Sequence, residues 1–351
     1  MGTIKVGISV GDINGIGAEV IMKSLEDARI LTGMTPIVYG SSRLFSFYKK
    51  ALDLPFNFQK IEDASEAKVG KVNLINITED EIKINVGESN TAGGDFAFMS
   101  LEAATKDLGA GKIDVLVTAP INKKNIQSKD FDFPGHTEYL TKLANADGSL
   151  MFMIKDSLRV GVATNHIPVQ EISKKLTKDI IAKKISMMNA SLTKDFGIVK
   201  PRIAVLGLNP HAGENGMLGS EESEIILPAI EQANREEILA FGPYAADGLF
   251  GSGQYAKFDG ILAMYHDQGL IPFKAMAGGT GVNFTAGLPI IRTSPDHGTA
   301  YDIAGKNEAS PESFRNAIYM ACDVFNNRAL NTEITANPLK VKRVDRHSRE
   351  R

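Results

Sequence analysis

Three of the six histidines in the chain share one local pattern. His166, His211 and His266 each follow a run of apolar residues that is typical of a buried strand. Ligands of α/β proteins bind beyond the carboxyl ends of the strands, so imidazoles placed there by separate strands could meet at one point. Neutral imidazole is a good ligand for zinc, copper, nickel or iron. The pattern alone leaves two interpretations open, a shared metal site or three histidines that merely cap strands or line a pocket.

Two carboxylates accompany these histidines. Asp267 follows His266 directly, and Asp247 lies in a Gly-Pro-Tyr-Ala-Ala-Asp-Gly segment. Either carboxylate could orient a metal ligand or accept a proton during catalysis. The structural alternative is that Asp247 stabilises its glycine-containing turn and that Asp267 caps a helix. The residues alone do not choose between these roles.

A glycine-rich stretch begins at Lys274 and ends at Arg292, with Asn283 between them. Glycines let backbone amides approach an anion closely, while lysine adds a point charge and arginine a bidentate fork. The stretch therefore indicates a pocket for phosphate or carboxylate, and the alternative is a loop with two unrelated surface cations. Earlier in the chain, His136 and Thr137 lie in a loop, where we expect an exposed histidine beside a hydroxyl, a pair suited to hydrogen-bonding a polar substrate.

The elements that must position these residues alternate between strand-like and helical patterns. This alternation predicts βαβ units and a largely parallel sheet. The runs 150–154 and 158–163 depart from it, because their short connection suits an antiparallel hairpin. The other predicted strands are 3–10, 36–39, 72–77, 114–118, 202–206 and 260–264, and the predicted helices are 16–26, 44–52, 96–108, 180–192, 221–234 and 311–329.

Composition limits the function classes. A chain of 351 residues suggests two domains, and a net charge of -3 offers no positive field for nucleic acid. We expect neither a signal peptide nor a membrane span, and therefore a cytoplasmic protein. Cys322 is the single cysteine, which excludes an intrachain disulfide. The end of the chain is basic and is interpreted as a solvated tail, with Lys340, Lys342, Arg343, Arg346, Arg349 and Arg351.

Several segments together resemble one known family, the 4-hydroxythreonine-4-phosphate dehydrogenases (PdxA) of vitamin B6 biosynthesis. The resemblance extends from about Val6 to Ala329. It is carried by Val117-Thr-Ala-Pro-Ile-Asn-Lys123, Pro134-Gly-His-Thr-Glu138, Asn209-Pro-His-Ala-Gly-Glu214, Tyr265-His-Asp-Gln-Gly269, Gly281-Val-Asn-Phe-Thr and Gly287-Leu-Pro-Ile-Ile-Arg-Thr-Ser-Pro-Asp-His-Gly-Thr-Ala300. The segment Gly11 to Ala18 departs from the family pattern, because it lacks the usual prolines.

The resemblance implies a fold similar to isocitrate and isopropylmalate dehydrogenases, with two α/β/α domains that flank a cleft. The expected domains are 1–130 with 300–351, and 131–299 with the metal and phosphate site. The family also implies a homodimer whose subunits share the active site. Carried over residue by residue, the implied metal ligands are His166, His211 and His266, and the implied substrate contacts are His136, Thr137, Lys274, Asn283 and Arg292.

The implied reaction is oxidation of 4-phosphooxy-L-threonine at C3 by NAD or NADP, followed by loss of CO₂ from the β-keto acid. A divalent metal would stabilise the alkoxide and polarise the ketone, with zinc expected first and magnesium or cobalt as alternatives. Candidate bases for the hydroxyl proton are Asp247, Asp267 and His136. The sequence lacks a Rossmann glycine fingerprint, so a dinucleotide would be bound in another manner.

Three alternatives remain open. A sister branch of the family oxidises 4-phospho-D-threonate, 4-phosphoerythronate or other hydroxy acids such as dihydrodiol carboxylates. The presence of both Lys274 and Arg292 favours a phosphorylated substrate without identifying it. A phosphate-dependent acyltransferase would need neither NAD nor three histidines. A non-catalytic sensor would bind a phosphorylated metabolite without turnover.

Overall fold

Residues 3–339, which the computed structural model describes, form one mixed sheet of twelve strands. The strands are β1 (Ile4–Ser9), β2 (Met34–Gly40), β3 (Gln59–Ile61), β4 (Asn73–Asn76), β5 (Val115–Thr118), β6 (Leu150–Lys155), β7 (Leu158–Val162), β8 (Arg202–Leu206), β9 (Leu239–Tyr244), β10 (Gly260–Ala263), β11 (Val282–Ala286) and β12 (Arg292–Pro295). Their spatial order is β3-β4-β2-β1-β5-β12-β11-β6-β7-β10-β8-β9. Pairing is parallel except where β11 meets β12 and β6, and where β6 meets β7.

Ten α-helices within the described chain cover the two faces of this sheet. They are α1 (Gly17–Leu25), α2 (Ser42–Leu52), α3 (Thr91–Gly109), α4 (His136–Leu143), α5 (Ile172–Lys175), α6 (Lys178–Lys194), α7 (Leu227–Arg235), α8 (Ala246–Gly251), α9 (His266–Ala277) and α10 (Glu312–Thr335). None of the described helices has the length and apolar character needed to cross a membrane.

The core explains where a cleft can form. Successive strand residues point to opposite faces, so Val115 and Val117 pack on one side of β5 while Leu116 packs on the other. The first face carries one continuous apolar cluster under α1, α2, α6, α7 and α10. The opposite face carries two separate clusters, one under α3 and α4 and the other under α8 and α9. The space between these two clusters opens above the central strands.

The α/β class predicted from the sequence is confirmed, and so is the antiparallel hairpin of β6 and β7. The stretch from Lys274 to Arg292 holds strand residues that the sequence did not predict. It contains the end of α9, all of β11 and the first residue of β12. Its glycines lie in the connections at 278–281 and at 287. They concealed β11, because a strand of only five residues gives a weak period-2 signal.

The glycines of the proline-free segment after β1 are required by close approaches. Gly11 has φ +66°, and a Cβ there would lie 2.2 Å from the carbonyl oxygen of Pro120. A Cβ on Gly17 would lie 2.4 Å from the carbonyl oxygen of Val10. The turn that Gly11 begins therefore packs directly against the chain that follows β5.

The predicted division into two domains stays a prediction, because a single sheet runs through both parts. β12, from the predicted second domain, pairs in parallel with β5 of the first. The basic tail of Lys340, Lys342, Arg343, Arg346, Arg349 and Arg351 lies outside the described residues.

Candidate active site

A cleft of about 280 Å³ lies between α4 and α9, above the central strands of the sheet. Its floor comes from adjacent strands, so residues far apart in sequence meet there. These floor residues are Thr118 of β5, Arg292 and Ser294 of β12, Asn283 of β11, and Met151 and Met153 of β6. The walls include most of the predicted site residues, namely His136, Thr137, His166, His266 and Lys274.

Arg292 is a buried cation without a carboxylate partner among residues 3–339. Its side chain is 2 % exposed, and its guanidinium donates to the hydroxyls of Thr118 (2.7 and 3.1 Å) and Thr285 (3.3 Å). Burial lowers the pKa of Arg292 to about 10. Neutral hydroxyls do not compensate a buried charge fully. An anionic ligand in the cleft would supply the missing counter-charge.

His136 is buried, and the prediction that it is exposed was wrong. It begins α4, which packs its first turn against the floor, and only 9 % of the residue is exposed. Its Nδ1 lies 3.2 Å from a guanidinium nitrogen of Arg292, so Nδ1 accepts and Nε2 carries the proton. Nε2 is buried and has no partner within the described chain. Burial, with Arg292 and Lys123 nearby, holds the pKa of His136 well below its usual range.

The remaining anion-binding candidates surround this pair. Thr137 lies in the first turn of α4, where unpaired backbone amides favour negative charge. Lys274 lies near the end of α9 and donates to the carbonyl oxygen of Asp296 at 3.1 Å. The buried Oδ1 atom of Asn283 has no hydrogen-bond partner in residues 3–339. The cleft therefore combines fixed cations with polar groups that lack partners.

His166 and His266 form the other wall of the cleft. They follow the adjacent parallel strands β7 and β10, and their ring centroids are 5.7 Å apart. His266 Nδ1 lies 2.8 Å from Oδ1 of Asp267, which leaves Nε2 of His266 as the free lone pair. Nε2 of His166 lies 3.0 Å from the ammonium of Lys123 and therefore accepts a hydrogen bond.

His211 does not reach this cleft within one chain. It follows β8, the next strand in the sheet, as the sequence pattern indicates. The turn Pro210–Gly216 is left-handed from residue 211 to residue 215, and His211 has φ 52° and ψ 27°. Non-glycine residues cost about 1–2 kcal/mol each in a left-handed turn, so neighbours must hold it. The turn presents His211 at the surface, away from the other two histidines.

The two candidate carboxylates also lie outside the cleft lining. Asp267 is exposed and orients His266. Asp247 is exposed in the first turn of α8, and α8 packs against the turn that bears His211. Asp247 and His211 therefore belong to one surface of the subunit.

Three further residues line the cleft, Lys123, Glu138 and His297, and each lies in a segment that carries the family resemblance. Glu138 has its Oε1 3.9 Å from Nδ1 of His166, and interaction with that ring lowers the pKa of Glu138. His297 has a pKa lowered by burial, and its Nε2 is buried without a partner among the described residues. Lys123 ends the segment after β5, and this position beyond a strand end is the sequence signal for its place in the cleft.

One chain supplies only part of the ligand set that the implied divalent metal needs. Two imidazoles on adjacent strand ends suit a borderline ion such as zinc, with Nε2 of His266 free and Nε2 of His166 hydrogen-bonded to Lys123. Within residues 3–339, no three His, Cys, Asp or Glu side chains come close enough to hold an ion. A complete site needs a further ligand from outside this arrangement.

Comparison with known proteins identifies the family of this chain. Residues 32–321 match the family described as "Pyridoxal phosphate biosynthetic protein PdxA". This chain belongs to the PdxA family. A 4-hydroxythreonine-4-phosphate dehydrogenase of Bacteroides thetaiotaomicron is 53% identical over 96% of this chain and 93% of its own length. A D-threonate 4-phosphate dehydrogenase of Pectobacterium atrosepticum is 37% identical over 90% of this chain and 98% of its own.

Solved structures of the PdxA family share the fold. The crystal structure of 4-hydroxythreonine-4-phosphate dehydrogenase from Klebsiella pneumoniae superposes with a TM-score of 0.78 at 34% identity, covering 92% of this chain and 98% of that one. The α/β fold with a cleft on one face of the sheet is therefore that of the family.

Proposed function

We propose that this PdxA family member oxidises 4-phosphooxy-L-threonine at C3 with NAD or NADP and releases CO₂, giving 3-amino-2-oxopropyl phosphate. The observation that carries the proposal is Arg292, a buried cation in the cleft with no carboxylate partner among the described residues. An anionic phosphorylated acid supplies the charge that this site lacks. The similarity to the Bacteroides enzyme, at 53% identity, supports the same substrate.

The second candidate substrate is 4-phospho-D-threonate. Its support is the relative from Pectobacterium atrosepticum, a D-threonate 4-phosphate dehydrogenase. Both substrates carry a phosphate, a carboxylate and a secondary alcohol, so the same cations serve either one. They differ in the substituent at C2, which is an amino group in the first and a hydroxyl in the second.

The residues of the cleft account for binding and orientation. Arg292 and Lys274 pair with the anionic groups of the substrate, and Thr137 adds backbone and hydroxyl donors at the start of α4. His136 acts as a hydrogen-bond donor through Nε2, because Arg292 occupies Nδ1. Holding both ends of the substrate in this way fixes the C3–H bond relative to the oxidant.

His166 and His266 are the proposed ligands of a divalent metal in this chain, and Asp267 fixes the tautomer of His266. When bound, such an ion supplies Lewis acidity at the oxygen of C3. The proton of the C3 hydroxyl must pass to a base as hydride leaves for NAD(P)⁺. His136 is poorly placed for that role, since its Nδ1 accepts from Arg292 and its Nε2 already carries a proton.

We infer a homodimer in which a second copy brings His211 to this site. A hollow of about 210 Å³ adjoins the outer side of His166 and His266, and its rim includes Val169, which is 80 % exposed. Met217, also 80 % exposed, follows the turn that bears His211 and could fill such a hollow. Asp247 would arrive with that turn, because α8 packs against it. Asp247 therefore remains the candidate base.

The test is a comparison of initial rates of NAD(P)H formation from 4-phosphooxy-L-threonine and from 4-phospho-D-threonate, before and after chelation. Turnover of the first that chelation abolishes and zinc restores supports the proposal. Turnover of the second alone moves the protein to the sister branch. Undiminished turnover after complete metal removal contradicts the metal assignment.

A further inference from the structure

We propose that Glu222 is a positioning residue for His211, which it serves by holding the left-handed turn Pro210–Gly216. The inference rests on the proposed function, in which His211 acts at the shared site. Glu222 begins a single π-helical turn, Glu222–Ile226, that leads into α7. Only 6 % of the residue is exposed, yet its hydrogen-bond partners in the described chain are amides rather than cations.

The carboxylate of Glu222 clamps the link between β8 and the turn. Its Oε1 accepts from the backbone amides of Leu208 and Asn209, both at 2.8 Å. Its Oε2 accepts from the side-chain amide of Asn209 at 3.0 Å. Hydrogen bonds to an ionised acceptor are stronger than neutral ones. The direction in which the chain leaves Asn209 is therefore set two residues before His211.

The same carboxylate also contacts the middle of the turn. A Cβ built on Gly213 would lie 2.6 Å from Oε2 of Glu222, and one built on Gly207 would lie 3.0 Å from Oε1. Glu222 thus occupies the space between the entry of the turn and its centre. If the carboxylate were displaced, His211 and its neighbours could relax to the right-handed conformations that L-residues prefer. His211 would then point in another direction.

The test uses the full-length protein and Co²⁺ as the probe. Glu222→Gln keeps the shape of the side chain but replaces one acceptor oxygen by a donor NH2, so it cannot accept both from the backbone N–H groups of Leu208 and Asn209 and from the side-chain amide of Asn209. We expect this variant to bind Co²⁺ about 10- to 100-fold more weakly in an absorption titration, as for other residues that orient metal ligands. We also expect an altered visible spectrum of the bound Co²⁺ and a thermal midpoint close to that of the wild type. Glu224→Gln is the matched control, because it makes the same charge change on the same turn at an exposed side chain.

Gly213→Ala is a second variant that disturbs the same contact from the other side, and we expect the same spectral change. The inference would be overturned if Glu222→Gln and Gly213→Ala both kept the wild-type Co²⁺ affinity and spectrum while His211→Ala weakened Co²⁺ binding. Unchanged binding in His211→Ala would overturn the inference together with the ligand assignment on which it rests. The two failures are therefore distinguishable.

Discussion

His136 and Arg292 form a pair whose protonation is linked to folding. The pKa of His136 lies well below its usual value of about 6.5, because burial disfavours the charged ring and the charges of Arg292 and Lys123 repel a proton there. As the pH falls below about 6.5, the unfolded chain takes up a proton at this histidine and the folded chain does not. This group therefore lowers the free energy of unfolding by up to about 1.4 kcal/mol per pH unit below that point.

The check is chemical denaturation between pH 7.5 and pH 5 in the wild type and in His136→Gln. The variant keeps an acceptor for Arg292 and should show a shallower loss of stability on acidification. His297, whose pKa burial also lowers, contributes to the slope in both proteins and cancels in the difference. Parallel pH profiles would contradict the assigned protonation state of His136.

We expect replacement of Arg292 to keep or raise the thermal stability of the protein and to weaken substrate binding. Arg292→Met removes a buried charge that no carboxylate in residues 3–339 compensates, so we expect a thermal midpoint equal to or above that of the wild type. The variant should lose about 10- to 150-fold in kcat/KM, mainly through KM, which corresponds to about 1.5–3 kcal/mol for hydrogen bonds to a charged group. Arg43→Met, at an exposed arginine of α2, is the control. An unchanged KM would argue against Arg292 as the anion-binding residue.

At the scale of elements, helix α3 supports the segment that carries Lys123 into the cleft. Gly94 lies in α3, and a Cβ there would lie 2.0 Å from the carbonyl oxygen of Asn125. We expect Gly94→Ala to destabilise the protein by about 1–3 kcal/mol through this overlap, despite a gain of about 1 kcal/mol in helix propensity. Thermal or urea unfolding measures the change, and activity should fall as Lys123 shifts.

Gly109 provides the matched control in the same helix. No atom lies within 4 Å of a Cβ built at that position, so Gly109→Ala should stabilise the protein by about 0.4–1 kcal/mol. Equal effects of the two substitutions would contradict the close contact between α3 and the segment that follows β5.

The elements also show what the sequence could and could not reveal. Apolar runs that end in histidine correctly placed His166, His211 and His266 after β7, β8 and β10, because these strands consist mainly of apolar residues. β11 and β12 were missed, since glycines on either side obscured two short strands. The burial of His136 depends on how α4 meets the floor, and the direction of His211 depends on a left-handed turn held by Glu222. Both are long-range contacts that no local pattern contains.

At the scale of the whole molecule, the proposed sharing of the active site can be tested by mixing two defective chains. His211→Ala removes only the metal ligand that a subunit supplies to its neighbour's site, whereas Arg292→Met disables only the cleft of the subunit that carries it. Random mixing by co-expression gives half mixed dimers with one intact site each, so about a quarter of wild-type activity should return. Absence of recovery, with mixed dimers demonstrated by tag purification, would show that each subunit builds its site alone.

Cytoplasmic location, the choice of NAD or NADP and the identity of the metal stay predictions.

Simultaneous measurement of NAD(P)H and CO₂ released from 4-phosphooxy-L-threonine tests the proposed reaction most directly. We expect one CO₂ for each NAD(P)H, with both products lost in Arg292→Met at low substrate concentration. NAD(P)H without CO₂ would contradict oxidation at C3, since only a β-keto acid decarboxylates readily. Formation of neither product by metal-loaded dimer would contradict the proposed substrate.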